Sequence, residues 1–150
     1  MERLMEFASS VPDFRRTAKG NHRHRLDDIL ILIVLARTSK CVGRAEIIEF
    51  GRHNLKRFRK MGILMNGVPS EATLCRVEKG IDSLCMADRM TDFMDTFRRE
   101  LVSGPDIICV DGKAMRGTLL QNGRNPDIVS AYSFNAGITL ITESLSGKKQ

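Results

Sequence analysis

The sequence contains no tryptophan and one tyrosine, and aromatics make up 5% of its 150 residues. A stacking platform for single-stranded bases is therefore not expected. The four cysteines (Cys41, Cys75, Cys85 and Cys109) are widely spaced and form no C-x-x-C pair. That spacing disfavours a zinc site and points to reduced, buried thiols. His22, His24 and His53 likewise form no recognisable metal set. The longest apolar run, Ile29 to Ala36, falls well short of the roughly 20 residues that a membrane span needs. Met1 to Glu6 lacks the apolar stretch of a secretory signal, so a cytoplasmic location is the expectation. Gly112-Lys113 and Gly147-Lys148 lack P-loop spacing, and no G-x-S-x-G elbow occurs. The patterns of P-loop nucleotide hydrolysis and of serine-hydrolase chemistry are both missing.

What is present is ordinary globular composition, 42% hydrophobic and 28% charged, and a lopsided charge. Residues 1–65 hold 14 Lys and Arg against 7 Asp and Glu, whereas residues 66–150 hold 10 against 11. The basic excess lies wholly in the first part. Such asymmetry suits an acidic polymer bound through phosphate contacts, and duplex DNA fits better than a single strand. A solvated basic face is the competing explanation.

Residues 1–25 read as a basic lead-in, in which Pro12 to Arg16 precedes a loop-like, strongly cationic stretch, Lys19 to Arg25. Arg15, Arg16, Lys19, Arg23 and Arg25 make it a candidate phosphate-contacting arm, or else a frayed polar terminus. Leu26 to Lys40 reads as a core helix, apolar all round, with Asp27 and Asp28 in its first turn and Arg37 and Lys40 near its end. Arg44 to Lys60 reads as one amphipathic helix. Ile47, Ile48, Gly51, Leu55 and Phe58 lie inward, and Arg52, Lys56, Arg59 and Lys60 lie on a basic outer face that could meet DNA or merely serve solubility.

Met61 to Gly67 is a connector with two glycines. Ser70 caps a short helix ending near Gly80. A longer helix then runs from about Ser83 to Leu101. Its stripe of Met86, Met90, Phe93, Met94, Phe97 and Leu101 is expected to be core. Helical character ends at Ser103-Gly104-Pro105, which places a domain boundary between residues 1–103 and 104–150.

Three extended segments follow: Asp106 to Asp111, Ile128 to Phe134 and Ile138 to Leu145. They are separated by turn-forming stretches and predict an antiparallel meander, so the fold class is α+β. The first strand reads as short and buried, with Ile107, Cys109 and Asp111 on one face. Asp111 stands at its end, beside Gly112, Lys113 and Arg116. A carboxylate there either holds a cation or is a turn aspartate preceding glycine. The outermost strand would expose an edge open to pairing, so self-association of residues 104–150 is expected unless the helical part covers them.

Val110-Asp111-Gly112-Lys113-Ala114-Met115-Arg116-Gly117 resembles the DGK-x-x-RG segment of bacterial insertion-sequence transposases with an H-repeat-associated N-terminal domain. The resemblance extends through His24-Arg25-Leu26-Asp27-Asp28-Ile29-Leu30, Ile48-Glu49-Phe50-Gly51, Gly67-Val68-Pro69-Ser70-Glu71-Ala72-Thr73 and Ile128-Val129-Ser130-Ala131-Tyr132. It implies a DDE-type enzyme, in which three acidic residues on an RNase H-like core hold Mg²⁺ or Mn²⁺ for DNA strand transfer. Asp111 matches the first acidic residue, as catalytic group and metal ligand, and Lys113 and Arg116 could neutralise phosphate nearby. The other two acidic positions would follow Gln150.

The chain is thus expected to be a basic helical N-terminal domain plus the start of the catalytic core, inactive alone. Implied partners are duplex DNA at transposon ends and further copies or a full-length transposase, with no membrane and a nucleoid-associated location if DNA is bound. The alternative is a non-catalytic DNA-binding or assembly-inhibiting protein derived from a truncated transposase.

Overall fold

Leu26–Thr38 (α2) is the helix around which the first part of the chain packs, with Ile29 and Leu32 both fully buried. The computed structural model describes residues 1–15, 22–114 and 127–145, and divides into two compact units, Met1–Asp82 and Ser83–Gln150.

In the first unit α2 packs against Glu2–Ser10 (α1) and Arg44–His53 (α3), and α3 packs against Glu71–Gly80 (α5). The approach of α3 to the core is close. A Cβ on Gly51 would lie 3.0 Å from Val68 Cγ1 and 3.1 Å from Leu32 Cδ1. Helix α1 stands where the sequence predicts no helix, and Leu4, Phe7 and Ala8 bury its inner side. Those apolar residues recur at helical spacing, but the basic residues that follow them dominated the sequence reading of residues 1–25.

The helix expected from Arg44 to Lys60 is instead two helices, α3 and Leu55–Lys60 (α4), broken at Asn54. The Asn54 side chain donates to the Phe50 carbonyl at 2.9 Å. It thus competes locally with the helix ladder, as asparagine commonly does. Phe50 and Phe58 meet edge to face across the break, 6.2 Å between centroids.

Helix α5 starts where expected. Ser70 Oγ accepts the Thr73 N–H at 3.3 Å, which satisfies one of the unpaired donors of the first turn. Glu78 ties the unit together from α5, taking Arg44 Nε at 2.6 Å and Arg37 at 3.7 Å.

The second unit contains Ser83–Leu101 (α6) and a sheet of Ile108–Ala114 (β1), Asp127–Ser133 (β2) and Ile138–Leu145 (β3). Strand order is β1-β2-β3, antiparallel throughout, with a register shift at Ala131/Tyr132 that leaves Leu140 unmatched. The mixed helical and antiparallel architecture is the α+β class the sequence predicts. Helix α6 lies against β3 and belongs with the sheet, so the switch to extended chain at Ser103–Pro105 falls inside this unit.

Two expectations about burial fail here. The methionine and phenylalanine stripe of α6 is only half-buried, and no residue of α6 is fully buried. Every residue of β1 is exposed, including Ile108 at 44% and Val110 at 68%. A three-stranded sheet with one helix against β3 leaves an edge strand uncovered, however apolar its sequence. Consistent with this, the thiol of Cys109 is exposed rather than buried, and the other three are half-buried.

Candidate functional site

Asp111 lies in the middle of β1 rather than at its end, because Gly112, Lys113 and Ala114 continue the strand. This removes the turn-aspartate explanation of the Asp-Gly pair. Asp111 faces Ser130 on β2, which faces Thr142 on β3. The three share a row across one sheet face, with Ser130 Oγ and Thr142 Oγ1 hydrogen-bonded at 3.2 Å. Lys113 stands two residues along the strand on the same face, opposite Ile128.

The other acids near this sheet are engaged or stand on the opposite face from Asp111, Glu143 only one register position from its row. Asp106 accepts the Ser133 hydroxyl at 2.7 Å and its second oxygen is buried without a partner. Asp127 pairs with Ala114 and Glu143 pairs with Val129. Among the described residues no three His, Cys, Asp or Glu side chains gather to hold a metal ion. Asp111 supplies one carboxylate, and these residues alone do not fit the Mg²⁺ or Mn²⁺ that the resemblance implies.

The cations expected to meet DNA separate into distinct situations. Arg15 is structural: it pairs with Asp13 at 2.6 Å and donates to the His24 carbonyl at 3.0 Å. Its guanidinium holds the Asp13 carboxyl below the usual carboxylate range. Arg25 pairs with Asp27, and Arg52 pairs with Glu49 at 2.5 Å one turn away. Lys56, Arg59 and Lys60 stand exposed on α4, and none makes an ion pair among the described residues. Arg57, which the sequence reading passed over, joins them there. Its spacing from Ile47, Ile48, Gly51 and Phe58 already places it off the inward stripe, so the pattern could have found it. In six residues α4 therefore presents Lys56, Arg57, Arg59 and Lys60 around the buried anchor Phe58. Arg16, Lys19 and Arg116 lie outside the described residues.

Arg23 is exposed and lines two recesses of the first unit. In one, of about 630 Å³, it meets Arg52, Glu49 and Glu71, so charge there is mixed. The other, of about 430 Å³, has no carboxylate among the described residues of its wall. Phe14 and Val77 give it an apolar floor, and Arg23, Arg76, His24 and Thr73 stand around it. Arg76 is a second cation that the sequence reading missed; only its place on the outer side of α5 could have signalled it. Burial, together with the Arg23 charge, pushes the His24 imidazolium below its ordinary value.

No helix among the described residues is long and apolar enough to cross a membrane. Comparison with known proteins gives one family model, described as DDE_Tnp_1-associated, over residues 5–94. The chain is 34% identical over 142 residues to "Putative transposase YncI" of Escherichia coli O157:H7, covering 93% of this chain and 35% of that protein. It is 31% identical over 135 residues to "H repeat-associated putative transposase YhhI" of Escherichia coli K12, covering 89% of this chain and 35% of that protein. It is 36% identical over 77 residues to "Inactive transposase YbfQ" of the same strain, covering 51% of this chain and 89% of that protein. The chain thus spans about a third of the length of the first two. No solved structure matches it. The chain belongs to the DDE_Tnp_1-associated family.

Proposed function

We propose that the chain is the N-terminal part of a DDE-type DNA transposase, whose helical unit contacts duplex DNA and whose β1 carries the first acidic residue of an RNase H-like core. The observation that carries the DNA reading is α4. Four cations are exposed on six residues with no carboxylate answering them among the described residues. Surface cations are usually paired or scattered. A cluster left unanswered is favourable where phosphates release their counterions to it.

Support for the catalytic assignment is the placement of Asp111 in mid-strand, open to solvent, in a polar row with Ser130 and Thr142. In this reading Asp111 is one ligand of a divalent-cation site whose remaining carboxylates lie outside the described residues.

A second reading, a non-catalytic DNA-binding or assembly-inhibiting protein, is favoured by similarity to a relative named as an inactive transposase. Titration of the chain against duplex DNA at several salt concentrations, followed by Mg²⁺ or Mn²⁺, separates the two. Salt-sensitive binding without nicking supports the non-catalytic reading. Nicking that Asp111→Ala abolishes supports the enzyme. Binding indifferent to salt removes the case for phosphate contact.

A further inference from the structure

The 430 Å³ cleft between the segment around Phe14, the segment around Arg23 and helix α5 has the make-up of a nucleotide site. Its floor is aromatic and fixed. A Cβ on Gly80 would fall 2.1 Å from Phe14 Cε2, so the ring edge rests on the glycine backbone, while 44% of the residue remains exposed. Val77, 1% exposed, lies beneath the cleft.

The rim is cationic. Arg76 uses Nε on the Ala72 carbonyl at 3.1 Å, which orients the guanidinium without neutralising it. The Arg23 backbone carbonyl accepts from Asn66 Nδ2 at 2.7 Å, which pins that segment. Neither guanidinium has a carboxylate partner among the described residues. Arg15 is answered by Asp13, outside this wall, and so does not compete.

From this juxtaposition we infer that the cleft binds a nucleotide, its phosphate between Arg23 and Arg76 and its base against the exposed Phe14 ring. Guanidinium groups recognise phosphate by charge and by paired donors. An aromatic face accepts any base, because every base has a π-surface. The site goes beyond a duplex backbone contact, since a stacked base has to be unpaired. It rests on the nucleic-acid reading for the natural source of the ligand, a strand end or an extruded nucleotide. A free mononucleotide carries the same chemistry.

The test uses the whole chain. Deoxyadenosine monophosphate and inorganic phosphate are titrated separately, then a blunt duplex and the same duplex with a short single-stranded overhang. The mononucleotide is expected to bind about 10-fold more tightly than phosphate, and the overhang duplex about 10-fold more tightly than the blunt one. Phe14→Leu, which keeps the apolar contact with Gly80, should erase both preferences and leave phosphate binding in place. The double variant Arg23→Gln, Arg76→Gln should lose mononucleotide and phosphate together at an unchanged melting temperature.

Equal affinity for mononucleotide and phosphate, or unaltered binding in these variants, overturns the proposal. Mononucleotide binding without duplex binding upholds the cleft and sinks the duplex reading. Duplex binding without mononucleotide binding does the reverse.

Discussion

Asp28 Oδ2 accepts the backbone N–H of Leu64 at 3.0 Å, joining the first turn of α2 to a residue 36 positions later. Leu64 is 1% exposed and has a left-handed backbone, φ 55°, a conformation that only a well-fixed non-glycine residue keeps. The carboxylate therefore anchors the connector between α4 and α5. Asp28→Asn retains an acceptor at this position and Asp28→Ala removes it. The alanine variant is expected to be less stable than the asparagine variant by about 1–3 kcal/mol, because a buried donor loses its partner. Urea unfolding of both checks this; equal midpoints would show that the bond does not anchor the connector.

Two carboxylates should give opposite pH signatures. Burial raises the Asp28 pKa above its ordinary value, more than the Leu64 N–H lowers it. The fold thus favours the protonated form, so the contribution of Asp28 is fully present below the ordinary aspartate pKa. It is lost as pH rises through the folded value. Glu46 is the reverse. The backbone N–H groups of Gly43 at 3.0 Å and Val42 at 2.6 Å hold its pKa below normal. Its contribution is present above the ordinary glutamate pKa and lost as pH falls through the folded value.

Relative to the unmodified chain, Asp28→Asn should gain stability as pH rises through the carboxylate range. Glu46→Gln should lose stability at neutral pH and converge with the unmodified chain in acid. Denaturation midpoints across that range test both, and parallel profiles would contradict them.

The contact of α3 with the core sets a limit on residue 51. An added methyl at Gly51 would press on Val68 and Leu32 at 3.0 and 3.1 Å. Gly51→Ala would ordinarily favour a helix by up to about 1 kcal/mol. Overpacking of this kind costs about 1–3 kcal/mol, so net destabilisation is expected. A raised melting temperature would show that α3 can shift outward without loss.

Much of this structure is legible from local chemistry. The apolar run of α2, the Ser70 cap, the extent of α6 and the third strand, Ile138–Leu145, all follow from periodicity and turn residues, though the burial of the α6 stripe does not. Features set by tertiary context were less legible. Asn54 can continue or break a helix, and here its side chain bonds the Phe50 carbonyl where α3 ends. An apolar strand reads as buried, yet β1 is exposed because nothing described covers it. The candidate cations were identifiable as charges, but not their pairing. Arg25, Arg52 and Arg15 are answered by Asp27, Glu49 and Asp13, and no described residue answers α4. The cleft beside Phe14 joins residues about sixty positions apart and leaves no pattern along the chain.

The cationic helix α4 is tested most directly by the salt dependence of duplex DNA binding, measured for the unmodified chain and for Lys56→Ala, Arg57→Ala, Arg59→Ala, Lys60→Ala combined. Each phosphate contact contributes about 0.9 to the slope of log affinity against log salt. The combined variant should therefore bind more weakly and show a slope shallower by up to about 3.6, with Phe58 still holding the helix in place. Equal affinity and equal slope in the two proteins would contradict the assignment of α4 as the DNA contact.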